Sequence, residues 1–365
     1  MLSVDDFSTN RFSYPTEVDV NDEESISSSE KNPHSESLSR HPDLCFSDGN
    51  LAVLTGAHYF LVHQGLIRRH SAPLARVIDA LEGTQTRFLE GRVVLELAEP
   101  SDDVYYFLLA LYDGISALKY NAEDFPVVAA ILRLATAYEV KHLRTDILRG
   151  LSFDWPTSLA QWEIRESRAH VTSLHEPRKS LPHPILVINL ARTVNAPELL
   201  PVAFYDLSRS PPSTCAAGYI LPHASSPKAQ HLCDADLLAL LRGKEHASRF
   251  LSTFIVSELE GRPPSASCAY LTGVGADHGR RRMCQSAFEM VTFEVLRDAR
   301  GRSSDPLSAI MEAELMQTRG EGPVVLGMRA CEWCRAEFGA AVDSAREEFW
   351  ARMPEWFGVD VGVWG

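Results

Sequence analysis

The sequence has no apolar run that could cross a bilayer, and it is poor in basic residues. Apolar stretches such as ILVINLA at 185–191 are far shorter than the ~20 residues of a membrane helix. The chain has 35 Lys and Arg against 49 Asp and Glu, a net charge of -14, which argues against a broad nucleic-acid footprint. The acidic opening MLSVDDFSTN lacks the apolar core of a signal peptide. We expect an intracellular protein, in the cytoplasm or nucleus, that binds neither membranes nor nucleic acid.

The sequence also lacks the short motifs of common catalytic centres. GxSxG, HExxH and the protein-kinase motif set are absent. GVGADHG at 273–279 has the glycines of a phosphate-binding loop but not its Gly-Lys-Ser/Thr ending. The basic run HGRRR at 278–282 is typical of a solvated loop. We therefore predict that the chain is not an enzyme.

The seven cysteines are odd in number and widely scattered, which favours reduced thiols over a disulfide framework. The CEWC motif at 331–334 allows three interpretations. A redox dithiol is disfavoured because no βαβ pattern surrounds the motif. A zinc site is the second interpretation, completed by Cys268, Cys284 or His278. We favour the third, in which these cysteines are small core residues and no cofactor is bound. If a metal is bound, its predicted ligands are Cys268, Cys284, Cys331 and Cys334.

The pattern of apolar residues divides the chain into three parts. Residues 1–40 are rich in Ser and acidic residues, which predicts a disordered tail. Residues 41–152 are predicted to form a β-hairpin, a helix pair, a further strand and three helices. Residues 153–365 are predicted to be mostly helical, with a long loop at 210–231. The expected fold class is α+β, with a small sheet covered by helices followed by a helical domain.

Six motifs within residues 41–152 occur in the order and at the spacing of a known family. They are PDLCF at 42–46, YFLVH at 59–63, GLIRRHSAPL at 65–74, VVLEL at 93–97, FLLALYDG at 107–114 and AAILRLATAYEVKHLRTDILRGL at 129–151. Together they resemble a BTB/POZ domain, most closely that of the large fungal group. LLPVAFYDLS and the closing MPEWFGVDVGVW are similar to later segments of the same fungal proteins. The resemblance implies structural roles: the His63 ring lies near Asp43 and caps the turn into the first helix, and Ser71 marks a helix boundary.

The resemblance implies a non-enzymatic protein-interaction protein. BTB domains form homodimers, and some link a cullin-type ubiquitin ligase to a substrate held by a second domain. Phe88-Leu89-Glu90 matches the form of a short motif in cullin-binding relatives. Two alternatives stay open: a transcription-linked or general scaffolding protein without a cullin role, and a metal-dependent enzyme that uses a Cys/His site. The residues expected to contact a partner are Val77, Leu81, Phe88, Leu89, Glu90, Tyr105, Tyr112 and Asp113.

Overall fold

The computed structural model describes residues 38–82, 87–172, 181–221, 229–271, 282–297, 304–318 and 329–365. Ser39–Gly365 form one compact unit of mixed α+β structure, mostly helical, with a small mixed sheet. The predicted tail lies outside the described residues as far as residue 37. Its end was predicted wrongly, because Ser39 and Arg40 already belong to the first strand. The predicted division of the compact unit at residue 152 stays a prediction.

Within the described residues, the main sheet has five strands. They are β1 (Ser39–Cys45), β2 (Leu51–Thr55), β3 (His58–Val62), β4 (Phe88–Leu89) and β5 (Arg92–Glu96). Their order across the sheet is β1-β3-β2-β5-β4. The central strand β2 pairs antiparallel with β3 and parallel with β5. At the two edges, β1 pairs parallel with β3 and β4 pairs antiparallel with β5. All five residues of β2 are buried, as expected for a central strand with the apolar sequence LAVLT.

Two tight turns fix the register of the sheet. The predicted hairpin is confirmed: Thr55 pairs with His58 across a two-residue turn in which Gly56 has a φ of 53°. The second turn joins β4 to β5 through Glu90 and Gly91, with φ values of 50° and 75°. Positive φ at both central residues is typical of a type I′ hairpin turn, which favours Gly at the second position.

Five helices complete the first part of the unit, and all were predicted from the sequence. α1 and α2 pack on each other, and α2 also packs on β5. α3 ends at Gly114, whose φ of 76° suits glycine after a helix. α4 packs between α3 and α5. The bounds are α1 (Gln64–His70), α2 (Ala72–Glu82), α3 (Ser101–Asp113), α4 (Phe125–Ala137) and α5 (Lys141–Leu151).

The later part of the unit is mostly helical, as expected. The helices are α6 (Leu159–Thr172), α7 (Pro184–Thr193), α8 (Leu200–Ser208), α9 (Pro212–Ala217), α10 (Asp234–Phe254), α11 (Met283–Arg297), α12 (Pro306–Thr318) and α13 (Glu332–Trp356). A single 3-10 turn at Pro197–Leu199 precedes α8, and a π-helical segment at Ile255–Leu259 extends α10. The loop predicted at 210–231 is wrong in part, because it contains α9 and a two-stranded ribbon of β6 (Tyr219–Ile220) and β7 (Ala229–Gln230).

One continuous apolar core runs through the unit. α8 lies at its centre: eight of its nine residues are buried, and it packs against α7, α10 and α13. Arg144 of α5 donates hydrogen bonds to the carbonyls of Val194 and Asn195, which ties the sheet-containing part to the helices that follow. Among the described helices, none combines the length and the apolar composition that a bilayer crossing needs.

Candidate functional site

Four cysteines from three separate segments meet in the helical part, and we call them the thiol cluster. Cys268 lies in a turn after the π-helical segment, and its amide donates to Ser265 O at 2.9 Å. Cys284 is the second residue of α11. Cys331 immediately precedes α13, and Cys334 lies in the first turn of that helix. Because residues three apart share a helix face, the last two sulfurs point to the same side.

The sulfur atoms of the thiol cluster lie close to one another. Cys268 Sγ is 3.7 Å from Cys284 Sγ and 3.7 Å from Cys331 Sγ, although these pairs are 16 and 63 residues apart in sequence. All four sulfurs lie within 4.8 Å of one another. Two backbone amides donate to them: Cys331 N to Cys284 Sγ at 3.2 Å, and the Ser265 amide to Cys334 Sγ at 3.3 Å.

Burial raises the pKa of these thiols, whereas hydrogen bonds from backbone amides lower it. Cys268 and Cys284 are fully buried, and Cys331 is 9% exposed. Burial raises the pKa of Cys284 to about 11 and also raises the pKa of Cys334. Burial also acts to raise the pKa of Cys331, but hydrogen bonds from the amides of Cys334 and Ala269 and from the thiols of Cys334 and Cys268 together bring it down to about 7.

The four cysteines brought together are those that the sequence offered as zinc ligands. His278, the other candidate, lies outside the described residues, as do GVGADHG and most of HGRRR. Cys45, Cys215 and Cys233 are free thiols elsewhere in the chain. The sequence offered these four as a possible ligand set, but it could not show that the two pairs meet, because this depends on the packing of α11, α12 and α13.

His63 occupies the N-cap position of α1 and contacts a different carboxylate from the one expected. Its Nε2 lies 3.3 Å from Asp48 Oδ1, and its Nδ1 lies 2.9 Å from Tyr112 Oη. The prediction that the ring packs near Asp43 and caps the helix is wrong, since the side chain makes no capping hydrogen bond. Asp43 instead accepts a hydrogen bond of 3.4 Å from Tyr105 Oη.

Ser71 lies at a helix boundary, as predicted. Its Oγ accepts a hydrogen bond from the Leu74 amide at 3.2 Å, which caps the first turn of α2. The same hydroxyl donates to the Tyr138 carbonyl at 2.7 Å, so it joins α2 to the end of α4. The side chain is fully buried. This geometry is that of a structural anchor with both hydrogen-bonding roles satisfied.

The residues predicted to contact a partner fall into two groups. Val77 is 46% exposed and Phe88 is 63% exposed. Val77 lies on α2, which packs on β5, and Phe88 lies on β4, the edge strand beyond β5. Asp113 is also exposed at the end of α3. Glu90, in the turn between β4 and β5, is exposed as well, although its carboxylate is bonded within the chain.

The remaining predicted residues make contacts within the chain. Leu81 packs on the core, and Leu89 pairs with Arg92 in the β4–β5 hairpin. The Glu90 carboxylate accepts hydrogen bonds of 2.5 Å from both Arg40 and Tyr59. These bonds lower the pKa of Glu90. The two tyrosines are held by their hydroxyls and rings: Tyr105 by Asp43 and His41, Tyr112 by His63 and Phe46.

The sequence analysis missed a buried ionic network in the helical part. Arg165 of α6 forms a two-pronged pair with Asp206 of α8, at 2.8 and 2.9 Å. Arg209 reaches the same carboxylate at 2.7 Å, Glu166 at 3.0 Å and Asp305 at 3.2 Å. Both guanidinium groups also lie over the ring of Trp162. Asp206 and Arg209 lie three residues apart at the end of an apolar helix. Because buried charges are normally paired, these two residues were the sign of an ion-pair network in the sequence.

Comparison of the chain with models of known families, with curated proteins and with solved structures found no match. Function is therefore inferred from the geometry of the chain itself. Two features stand out: the thiol cluster in the helical part, and the exposed apolar side chains near β4.

Proposed function

We propose that the chain is a non-enzymatic protein-interaction protein of the BTB/POZ type, active inside the cell. The order of elements in residues 39–151 supports this proposal. A β-hairpin is followed by a helix pair, by a strand parallel to the first hairpin strand, and then by α3 and the α4–α5 pair. This is the arrangement that the resemblance implies.

The observation that carries the proposal is the exposure of two large apolar side chains, Phe88 and Val77. Phe88 is 63% exposed on an edge strand, where an uncovered apolar side chain promotes association with other chains. Exposed apolar patches are typical of protein-binding sites, and we propose that Phe88 and Val77 belong to one. The α2–β4 edge, defined by Val77 and Phe88, is therefore the proposed docking surface.

The proposed partner is a cullin-type scaffold, with the helical part presenting a substrate for ubiquitination. Contact through Leu89 and Glu90 would disturb the β4–β5 hairpin, because Glu90 is held by Arg40 and Tyr59. Phe88 is the member of that motif whose side chain is free to reach a partner. Homodimerisation through the same edge is the other use that the family suggests.

The other two candidate classes have less support. A transcription-linked or general scaffolding protein would use the same docking surface with a different partner. A metal-dependent enzyme would need an open coordination position at the thiol cluster. Four cysteine sulfurs would fill a tetrahedral site, so the arrangement favours a structural role for any metal held there.

Calorimetry of the full-length chain with the N-terminal half of the BTB-specific cullin tests the proposal. We expect sub-micromolar binding that is lost when Val77→Asp and Phe88→Asp are combined. Phe153→Asp is the matched control, because Phe153 is 72% exposed and lies after α5, away from this edge. Absence of binding at tens of micromolar would reject the cullin partner. Light scattering would then show whether the chain dimerises through the same two residues, and a monomer at that concentration would reject the docking surface.

A further inference from the structure

We infer that the thiol cluster holds one Zn²⁺ ion as a structural tetrathiolate site. Tetrahedral zinc binds thiolate sulfur at ~2.3 Å, which places ligand sulfurs ~3.8 Å apart. The two measured sulfur–sulfur distances from Cys268 are both 3.7 Å, and all four sulfurs lie within 4.8 Å. These two distances match two edges of a coordination tetrahedron around one ion.

Two of the sulfurs have the backbone amide donors that metal-bound thiolates usually have. The amides of Ser265 and Cys331 point at Cys334 Sγ and Cys284 Sγ, at 3.3 and 3.2 Å. Hydrogen bonds from backbone amides to metal-bound sulfur are the usual outer contacts that hold such ligands in place. The positive end of α13 lies beside the cluster and offsets part of the negative charge that four thiolates bring.

The choice of metal follows from the ligands. Four sulfurs in a tetrahedral arrangement select zinc or a single iron ion over calcium, magnesium or manganese, which prefer oxygen ligands. With four protein ligands the coordination is complete, which is the mark of structural rather than catalytic zinc. The cluster is also nearly excluded from solvent, with Cys331 only 9% exposed.

The ion would cross-link segments that are far apart in the sequence. Cys268 and Cys284 are separated by 16 residues, and Cys284 and Cys331 by 47. A cross-link that closes long loops removes more conformational freedom from the unfolded chain than one that closes short loops. The packing of α11 against α13 would thus depend on the metal, just as the folding of small zinc-stabilised domains depends on theirs. This inference is independent of the proposed interaction function.

Metal analysis of the purified full-length chain is the first test. We expect about one zinc per chain, and binding of Co²⁺ in its place should give the visible absorption of a tetrahedral thiolate complex. Cys334→Ser should lose the metal. Cys215→Ser is the matched control and should keep it, because Cys215 is equally buried but bonds to the Leu207 carbonyl outside the cluster.

A second measurement on the unmodified chain covers the case in which Cys334→Ser does not fold. Cysteine alkylation followed by mass spectrometry is compared with and without a zinc chelator. The four cluster cysteines should become reactive only with the chelator, whereas the exposed Cys233 should react in both samples. A chain that binds no metal when supplied with zinc, that binds iron instead, or that pairs these cysteines as disulfides would overturn the inference.

Discussion

Tyr205 Oη donates a hydrogen bond of 2.7 Å to Asp305 Oδ1, although 100 residues separate the two in sequence. The same hydroxyl accepts a hydrogen bond of 3.0 Å from the Leu307 amide, at the start of α12. Burial and the neighbouring Asp305 raise the pKa of Tyr205 well above its usual value, so the phenol stays neutral and can donate. Through Asp305 the tyrosine joins the buried ionic network of Arg165, Glu166, Asp206 and Arg209.

Arg209→Met should destabilise the protein strongly. Arg209 compensates three carboxylates, and its side chain is only 4% exposed. Removing one partner of a buried ion pair leaves the other charge uncompensated, which costs about 3–5 kcal/mol. Urea unfolding of the variant and the unmodified chain measures the difference in free energy of unfolding.

The matched control is Arg249→Met, at a pair with Glu245 in which both side chains are more than half exposed. Exposed pairs contribute little, so a change within about 0.5 kcal/mol is expected. Equal effects of the two substitutions would mean that the buried network does not stabilise the fold.

The sequence predicted the elements whose apolar residues follow a clear period. The β2–β3 hairpin and α4 are examples, since their buried positions match the apolar ones. It missed α6, and the reason is visible in that helix. Arg165 is buried there while Ile164 is 51% exposed, so the pattern of apolar residues points to the wrong face. The burial of Arg165 is made favourable by its contacts with Asp206 of α8, Glu166 and the Asp154 carbonyl, and no local pattern of apolar residues shows this.

The thiol cluster, like the fold, was predictable in part from the sequence. The CxxC spacing fixes two ligands of the thiol cluster, because residues 331 and 334 share a helix face. The sequence also offered Cys268 and Cys284 as their partners, but it could not show that the two pairs meet, because this depends on how α11 packs. His63 directly follows the second strand of the hairpin, which ends at Val62, and its contact with Asp48 depends on the conformation of the loop between β1 and β2.

His183 should make the stability of the protein fall in mild acid. It is the N-cap of α7: its Nδ1 accepts a hydrogen bond of 3.3 Å from the Ile185 amide, and its ring stacks on Tyr219. Burial lowers the pKa of His183 from 6.5 to about 4. The unfolded chain therefore takes up a proton at higher pH than the folded one, so stability is lost as the pH falls from 6.5 to about 4. Because the ring is only partly buried, solvent screening keeps the loss below ~3 kcal/mol.

His183→Asn separates this effect from the titration of other groups. Asn is a good N-cap residue and does not titrate, so it keeps the acceptor for the helix amide. Urea unfolding at a series of pH values should show the unmodified chain losing stability relative to the variant across that window. Parallel curves for the two proteins would contradict the assigned role of His183.

Ser71→Ala should cost about 2 kcal/mol. The substitution removes the cap of α2 and leaves the Tyr138 carbonyl without its hydroxyl donor in a buried place. Ser252→Ala is the control, because the exposed Ser252 hydroxyl only donates to the Ser248 carbonyl one turn earlier in α10. Ala is the better helix former there, so thermal unfolding should show no loss. A similar loss of stability in both variants would mean that the buried hydrogen bonds of Ser71 do not stabilise the protein more than an exposed one does.

Gly243→Ala tests how tightly the closing segment of the chain packs on α10. A methyl group at Gly243 would overlap the ring of Phe357, which is buried and stacks on Phe204 with 5.4 Å between ring centroids. Because that ring has no space to move, overpacking should cost about 1–3 kcal/mol, more than the helix propensity that Ala brings. Gly65→Ala in α1 is the matched control, since nothing lies within 4 Å of a methyl group there. The control should be neutral or more stable by up to ~1 kcal/mol. If thermal unfolding shows both substitutions to be stabilising, Phe357 does not pack against α10 as described.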